Sequence, residues 1–337
     1  MKEYQRQVQQ WWREGKKVAL ARVIQTWGSS PRPVGSCLFI SSDGDMLGSV
    51  SGGCVEGAVV KVAKLILESG QAKRLHYGIS DDDAWAVGLS CGGKLDVFIQ
   101  PWHDDHIVKE LTHRLDNNEG CTLVTNMSGA VASNTLFFDL KIQGTEIPDE
   151  LELMIRESYS HRTSRTITQP DADYFAHVFP PHSKMLIIGA AHITADLVKL
   201  AREFDFETIV IDPRKAFAEN TTFSVQPDKI FHAYTSEVLH EMKLDAYTYA
   251  VILSHDPKID DDALKILLRS DVAYIGALGS KKNHEKRSKR LQEAGFSETE
   301  IARINAPIGV DIHAQGAKEI ALSIMGAVIK AKNFFSR

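Results

Sequence analysis

The chain has 337 residues, enough for two domains with separate cores, and its 43% hydrophobic and 25% charged residues are those of a globular protein. A formal charge of −5 excludes a global basic field for nucleic acid or acidic lipid. No apolar run reaches the ~18 residues of a membrane span, and the polar start Met1–Gln5 lacks a signal-peptide core, so a cytoplasmic location is expected.

Val8, Trp11 and Trp12 fall on one side of a helix expected over residues 3–16, and a strand follows at 18–26. Two prolines and a glycine make 29–35 a loop. Strands at 36–40 and 46–50 flank the hairpin signal Asp43-Gly44. Val55, Val59, Val62, Leu65 and Ile66 then recur at helical spacing, and Ser69-Gly70 closes that helix. Strands are expected at 73–79 and 95–100, separated by Asp81-Asp82-Asp83 and Leu89-Ser90-Cys91-Gly92-Gly93. Residues 104–117 read as a helix, 122–125 as a strand, 129–148 as a hairpin, 149–158 as a helix and 174–179 as a strand. Pro180-Pro181-His182-Ser183 marks the boundary, so residues 1–180 are expected to form an α+β domain.

Beyond it strands and helices alternate: strands at 185–188, 208–211, 246–253 and 272–275, helices at 192–204, near 236–243, and at 260–269, 281–294 and 315–332. This rhythm implies βαβ units, a parallel sheet and a Rossmann-like domain over 184–337. The fold class is α/β, an α+β domain followed by a parallel-sheet domain.

None of Cys37, Cys54, Cys91 and Cys121 forms a C-x-x-C pair, which argues against a zinc knuckle or a redox dithiol. Cys37 and Cys121 sit in apolar runs and read as small buried hydrophobes. Cys54 follows Ser51-Gly52-Gly53. With Gly53 as N-cap it would occupy the first helical position, where the dipole favours a thiolate. The alternative is that Cys54 packs inward while Glu56 completes a capping box. Cys91 beside Gly92 and Gly93 repeats the ingredients, and a structural turn is again the alternative.

Gly189-Ala190-Ala191-His192-Ile193-Thr194 departs from G-x-G-x-x-G at Ala191 and Thr194, and a methyl at 191 crowds a pyrophosphate. Asp212 stands where a ribose-binding carboxylate belongs, whereas Arg214 would favour an extra phosphate. His192 is placed to contact a phosphate or cap its helix, and His255-Asp256-Pro257 ends a strand at the ligand-binding edge of the sheet. Gly276, Gly279 and Ser280 form a strand-to-helix turn that permits anion binding. Lys281, Lys282, Lys286, Arg287, Lys289 and Arg290 read as a solvated face, or as a dock for an acidic partner.

The chain resembles the xanthine dehydrogenase accessory protein family (XdhC/CoxI). The likeness rests on Gly28-Ser29-Ser30-Pro31-Arg32, residues 48–56 and Cys91-Gly92-Gly93. It continues through residues 186–192, 210–214, 251–257, 274–280, 306–312 and Glu319-Ile320-Ala321. The resemblance implies a chaperone that binds molybdopterin (molybdenum cofactor), assists a cysteine desulfurase in sulfurating it, and hands it to a molybdenum hydroxylase. It assigns that chemistry to Cys54, Cys91 and Glu56, with the two thiols as molybdenum ligands or sulfur carriers. Arg32, Ser51, Gly52, Gly53, Gly92 and Gly93 are expected to hold the pterin or its phosphate. The last helix carries Gly326-Ala327 where relatives tend to have Ala-Glu. A homodimer is expected, and the apolar face with Trp11 and Trp12 on the first helix leaves dimerisation open. The competing readings are an NAD(P)-dependent oxidoreductase using the Rossmann domain, and a hydrolase using His255, Asp256 and Asp212.

Overall fold

Strand β1 (Val18–Trp27) alternates Val18, Leu20, Arg22 and Ile24 on one face with Ala19, Ala21 and Val23 on the other, and both sets are buried. Such a strand needs cover on two sides. The computed structural model, which describes residues 1–78, 93–139, 141–214 and 223–334, supplies it. Two units are present, Met1–Pro181 and His182–Arg337.

In the first unit, β1 lies at the centre of an antiparallel sheet ordered β3-β2-β1-β5-β4, with β2 (Cys37–Ser41), β3 (Met46–Gly48), β4 (Lys73–Tyr77) and β5 (Lys94–Trp102). Of the helices α1 (Gln5–Arg13), α2 (Glu56–Ser69), α3 (His106–Asp116) and α4 (Asp149–Ser160), α2 covers the Ala19 face through Val59, Ala63 and Ile66. The Leu20 face packs against α1, α3 and a second antiparallel sheet, ordered β8-β7-β6-β10-β9. Its strands are β6 (Cys121–Asn126), β7 (Ser133–Phe138), β8 (Lys141–Gly144), β9 (Arg165–Thr168) and β10 (Asp173–Phe179). Leu151 and Ile155 of α4 close that sheet's far side.

Three expectations change here. The first helix ends at Arg13, because Gly15 turns the chain at φ +78°. The apolar face of α1 is used inside the fold: Trp11 is buried, and the Trp12 indole N–H donates to the Trp102 carbonyl at 3.3 Å. Trp12 is left half-buried. The short polar strand β9 has no periodic signature and escapes sequence reading. Cys37 and Cys121 are the small buried residues expected, and burial pushes their thiols up to about 11 and about 12.

The second unit holds a six-stranded parallel sheet: β11 (Lys184–Ile188), β12 (Glu207–Ile211), β13 (Lys229–Phe231), β14 (Thr248–Ile252), β15 (Tyr274–Ala277) and β16 (Ile304–Asn305). The order β13-β12-β11-β14-β15-β16 is the Rossmann order 3-2-1-4-5-6 when counted within the unit. Its helices are α5 (His192–Glu203), α6 (Thr235–Leu239), α7 (Pro257–Leu267), α8 (Lys281–Glu293), α9 (Glu298–Ile301) and α10 (Ala317–Phe334). Leu186 and Ile188 face the core under α7, while Met185 and Ile187 face the one shared by α5 and α10. Strand β15 begins two residues later than expected and so contains Gly276. Among the described residues no helix is long and apolar enough to cross a membrane.

Candidate functional site

The loop between β3 and α2 closes around the carboxylate of Glu56. Its Oε1 accepts from the Ser49 hydroxyl at 2.6 Å and from the Val50 and Ser51 amides at 3.1 and 2.9 Å. Its Oε2 accepts from the Ser51 hydroxyl at 2.5 Å and the Gly53 amide at 2.9 Å. The Gly52 amide donates to Ser49 Oγ at 2.8 Å, and the Val55 amide to Ser51 Oγ at 2.9 Å. Gly52 and Gly53, at φ +78° and +117°, give the backbone the curvature that turns these amides inward. Partial burial works against the charge, but the Ser49 and Ser51 hydroxyls and the loop amides prevail and hold the Glu56 carboxyl down to about 2.

This geometry corrects the helix-terminus argument. The helix starts at Glu56 with Val55 as N-cap, so Cys54 precedes the first turn instead of opening it. The amides of Gly52 and Gly53, expected to face a ligand, already serve Ser49 and Glu56. The tethered Glu56 carboxylate takes the Gly53 amide as a charged acceptor, and Ser49 Oγ takes that of Gly52. Cys54 is half-buried and packs against the core beneath α2. Glu56 organises the loop, in the manner of the capping alternative, though with more donors than a capping box has.

The two glycine stretches nevertheless meet a common neighbour. Pro31 Cβ lies 3.9 Å from where a Cβ on Gly52 would stand, and one on Gly93 would come within 2.3 Å of the Ser29 carbonyl oxygen. The 28–32 loop, with exposed Arg32, therefore lies beside both stretches. Cys91 and Gly92 lie outside the described residues, and among those described no group of three or more His, Cys, Asp or Glu could hold a metal ion.

Cross-strand pairs that the sequence separates also appear. His76 Nδ1 stands 2.5 Å from Asp96 Oδ1, Arg74 reaches the same carboxylate at 2.6 Å, and the half-exposed Trp27 ring meets His76 edge-on. Tyr77, near Glu56, has its phenol pushed up to about 12 by burial and by that carboxylate. Only the β4/β5 register, which sets His76 opposite Asp96, reveals the cluster.

In the second unit, Gly189 ends β11 at φ +106°, and a Cβ there would stand 2.6 Å from the Ser254 amide nitrogen. The loops after β11 and β14 thus touch at the switch point of the sheet. Ala191 is the N-cap of α5 and His192 its exposed first residue, so His192 does not cap. Asp212 is fully buried; it accepts from the Ala190 amide at 2.7 Å and from Arg214 Nε and Nη2 at 3.0 and 2.9 Å. Burial alone would raise its pKa, but the Arg214 and Ala190 hydrogen bonds hold it below the ordinary value. The carboxylate expected to meet a ribose therefore latches the turn to Arg214.

Asp256 caps α7 by accepting from the Lys258 amide at 2.9 Å, while His255 is exposed at φ +60°. Gly276 is a packing residue, since a Cβ there would strike Ile308 Cδ1 at 2.5 Å. Gly279 turns the chain at φ +133° and Ser280 caps α8, accepting from the Asn283 amide. The basic face of α8 is not wholly solvated: Arg287 forms a buried pair with Asp260 at 2.9 Å, and Arg290 grips Asp261 at 2.6 Å.

A mixed first unit followed by a Rossmann unit defines the class. Residues 11–78 match the model of the XdhC and CoxI family and residues 185–328 that of the XdhC Rossmann domain. The chain belongs to the XdhC and CoxI family. It is 26% identical to a probable xanthine dehydrogenase subunit of Bacillus subtilis, over 94% of each chain. It is 24% identical to the molybdenum cofactor insertion chaperone PaoD of Escherichia coli, over 94% of this chain and 84% of that one. A crystal structure described as a xanthine dehydrogenase from Bacillus halodurans superposes with a TM-score of 0.74 at 25% identity, covering 98% of this chain and 95% of that chain.

Proposed function

We propose that this chain is an insertion chaperone for molybdenum cofactor. It takes the cofactor as cargo, shields it while a cysteine desulfurase sulfurates it, and delivers it to a molybdenum hydroxylase of the xanthine dehydrogenase type. The observation that carries this reading is the likeness to PaoD along 94% of the chain. The approach of the 28–32 loop to both Gly52 and Gly93 supports it. In this reading Cys54 and Cys91 supply thiols to the metal or its sulfur, Arg32 faces the phosphate, and Glu56 acts by holding the loop. The chaperone works in the cytoplasm as a homodimer.

The test is anaerobic binding of molybdopterin to the purified protein, together with activation of an apo-hydroxylase. Near-stoichiometric binding and activation are expected, with Cys54→Ser and Cys91→Ser each reducing binding. Failure of the wild type in both assays, or full retention by both variants, overturns the reading. The Rossmann strand order favours a second ligand, a nucleotide, at the β11–β14 switch point. Titration with NADH and NADPH tests it, and substrate-dependent oxidation would favour a dehydrogenase instead.

A further inference from the structure

Trp27 ends β1 and stands directly before the 28–32 loop, which lies beside both glycine stretches. Among the described tryptophans, Trp11 and Trp102 are buried and Trp12 is half-buried, whereas Trp27 is 40% exposed. A Cβ on Gly93 would come within 3.3 Å of the Trp27 carbonyl oxygen, so the backbone that carries this ring borders the proposed cargo site.

The ring is braced by a charged array. His76 meets it edge-on, with ring centroids 5.8 Å apart and planes at 67°. His76 Nδ1 lies 2.5 Å from Asp96 Oδ1, which fixes the imidazole. Asp96 is only 3% exposed, and Arg74 grips its other oxygen through Nε at 2.8 Å and Nη2 at 2.6 Å. Arg74 Nη1 reaches Asp173 of β10 at 3.2 Å, so the array is anchored to both sheets of the unit.

Single exposed apolar side chains need no account, but they ordinarily keep their rotamer freedom. Trp27 is different. Burying a carboxylate such as Asp96 is unfavourable unless it is paired, and the pairing here ends on the imidazole that touches the indole. No second ring or cation covers that indole among the described residues. It is therefore a held aromatic surface with a negative π face, left open to solvent. The Gly52 and Gly53 amides, by contrast, already serve Ser49 and Glu56 and leave a ligand's ring without a partner there.

We infer that Trp27 is the stacking surface for the pterin ring of the cargo, and that His76, held by Asp96 and Arg74, is the residue that positions it. The inference rests on the cofactor reading above and gives the ring a place beside the thiols and Arg32. A flat heteroaromatic bicycle offers the indole a wide offset face. An indole already held in one orientation loses little freedom when the ring settles on it.

Titration of the full chain with 6-hydroxymethylpterin, which carries no metal, sulfur or phosphate, tests this through the indole N–H resonances. The Trp27 signal, identified by its loss in Trp27→Phe, is expected to shift while those of Trp11 and Trp102 stay. Trp27→Ala should weaken pterin binding by about 10- to 100-fold, and Trp27→Phe, which keeps a ring, by less. His76→Ala should weaken it by about 3-fold and displace the Trp27 signal in the free protein. Adenosine serves as a flat ring of another class. An unmoved Trp27 signal, unchanged affinity in Trp27→Ala, or equal binding of adenosine would overturn the inference, and unchanged affinity in His76→Ala would overturn the positioning role. Molybdopterin that binds wild type and Trp27→Ala equally well would sink this inference alone. A Trp27 shift with pterin in a protein that neither binds molybdopterin nor activates the apo-hydroxylase would sink the cargo reading and leave the stacking surface standing.

Discussion

Each unit contains a glycine turn that reads from sequence as an anion site, and each turn is closed by a carboxylate of its own chain. In the first unit Glu56 is held by neutral donors only, two hydroxyls and three amides. In the second, Asp212 is held by the Ala190 and Arg214 amides and by the Arg214 guanidinium, and so makes a neutral pair with Arg214. The first turn keeps a net negative charge under dipoles. The second is a latch whose charge is cancelled. The glycines differ too. A side chain on Gly53 would meet nothing within 4 Å, whereas one on Gly189 would strike the Ser254 backbone. Positive φ alone therefore does not say whether a glycine is there for close approach or for curvature.

Substitutions at the two glycines and at Glu56 test whether the turns really differ in this way. Gly189→Ala should do the most damage, because backbone strain adds to a backbone clash, for a loss of about 3 kcal/mol or more. Urea denaturation measures it, and a loss under about 1 kcal/mol would mean the two loops are not pressed together. Glu56→Ala should cost about 2–3 kcal/mol, because several donors lose a charged acceptor at once. The same variant should open the 49–55 amides to faster hydrogen exchange. Unchanged exchange would show that the serines hold the loop without it.

The charge on Glu56 also sets a pH dependence. Its folded pKa of about 2 lies below the ordinary carboxyl value of 4.5, so its contribution is complete above the unfolded pKa and is lost as pH falls through that window. Urea midpoints measured from pH 6 to about pH 2 should drop more steeply in the wild type than in Glu56→Gln. Equal slopes would remove Glu56 from the account. Gly53→Ala should be the mildest change, about 1–2 kcal/mol from left-handed strain alone, read from the same curves.

Much of the second unit is legible in the sequence because its signals are local. Buried strands such as Met185–Ile188 and amphipathic helices such as α5 and α10 carry their period within a short span. The shift of β15 and the short strands β13 and β16 are not legible, since two or three residues hold too little pattern to set a boundary. In the first unit β1, β5 and α2 can be read, while β9 cannot. Of the candidate site, Ser51, Gly52, Gly53, Cys54 and Glu56 read as one local stretch, and the structure keeps them together. The direction of their hydrogen bonds is not readable, because a helix that starts two residues later turns Glu56 back into the loop.

Periodicity, proline and glycine act over short distances, and through them the linear chain already specifies the family, the order of elements and the places where it must turn. What the polar groups at those turns do is settled only in three dimensions. Glu56 and Asp212 could have faced ligands, and His76 and Asp96 need never have met. Sheet register and loop closure brought each to its partner, and a buried charge takes the donors that the fold puts within reach.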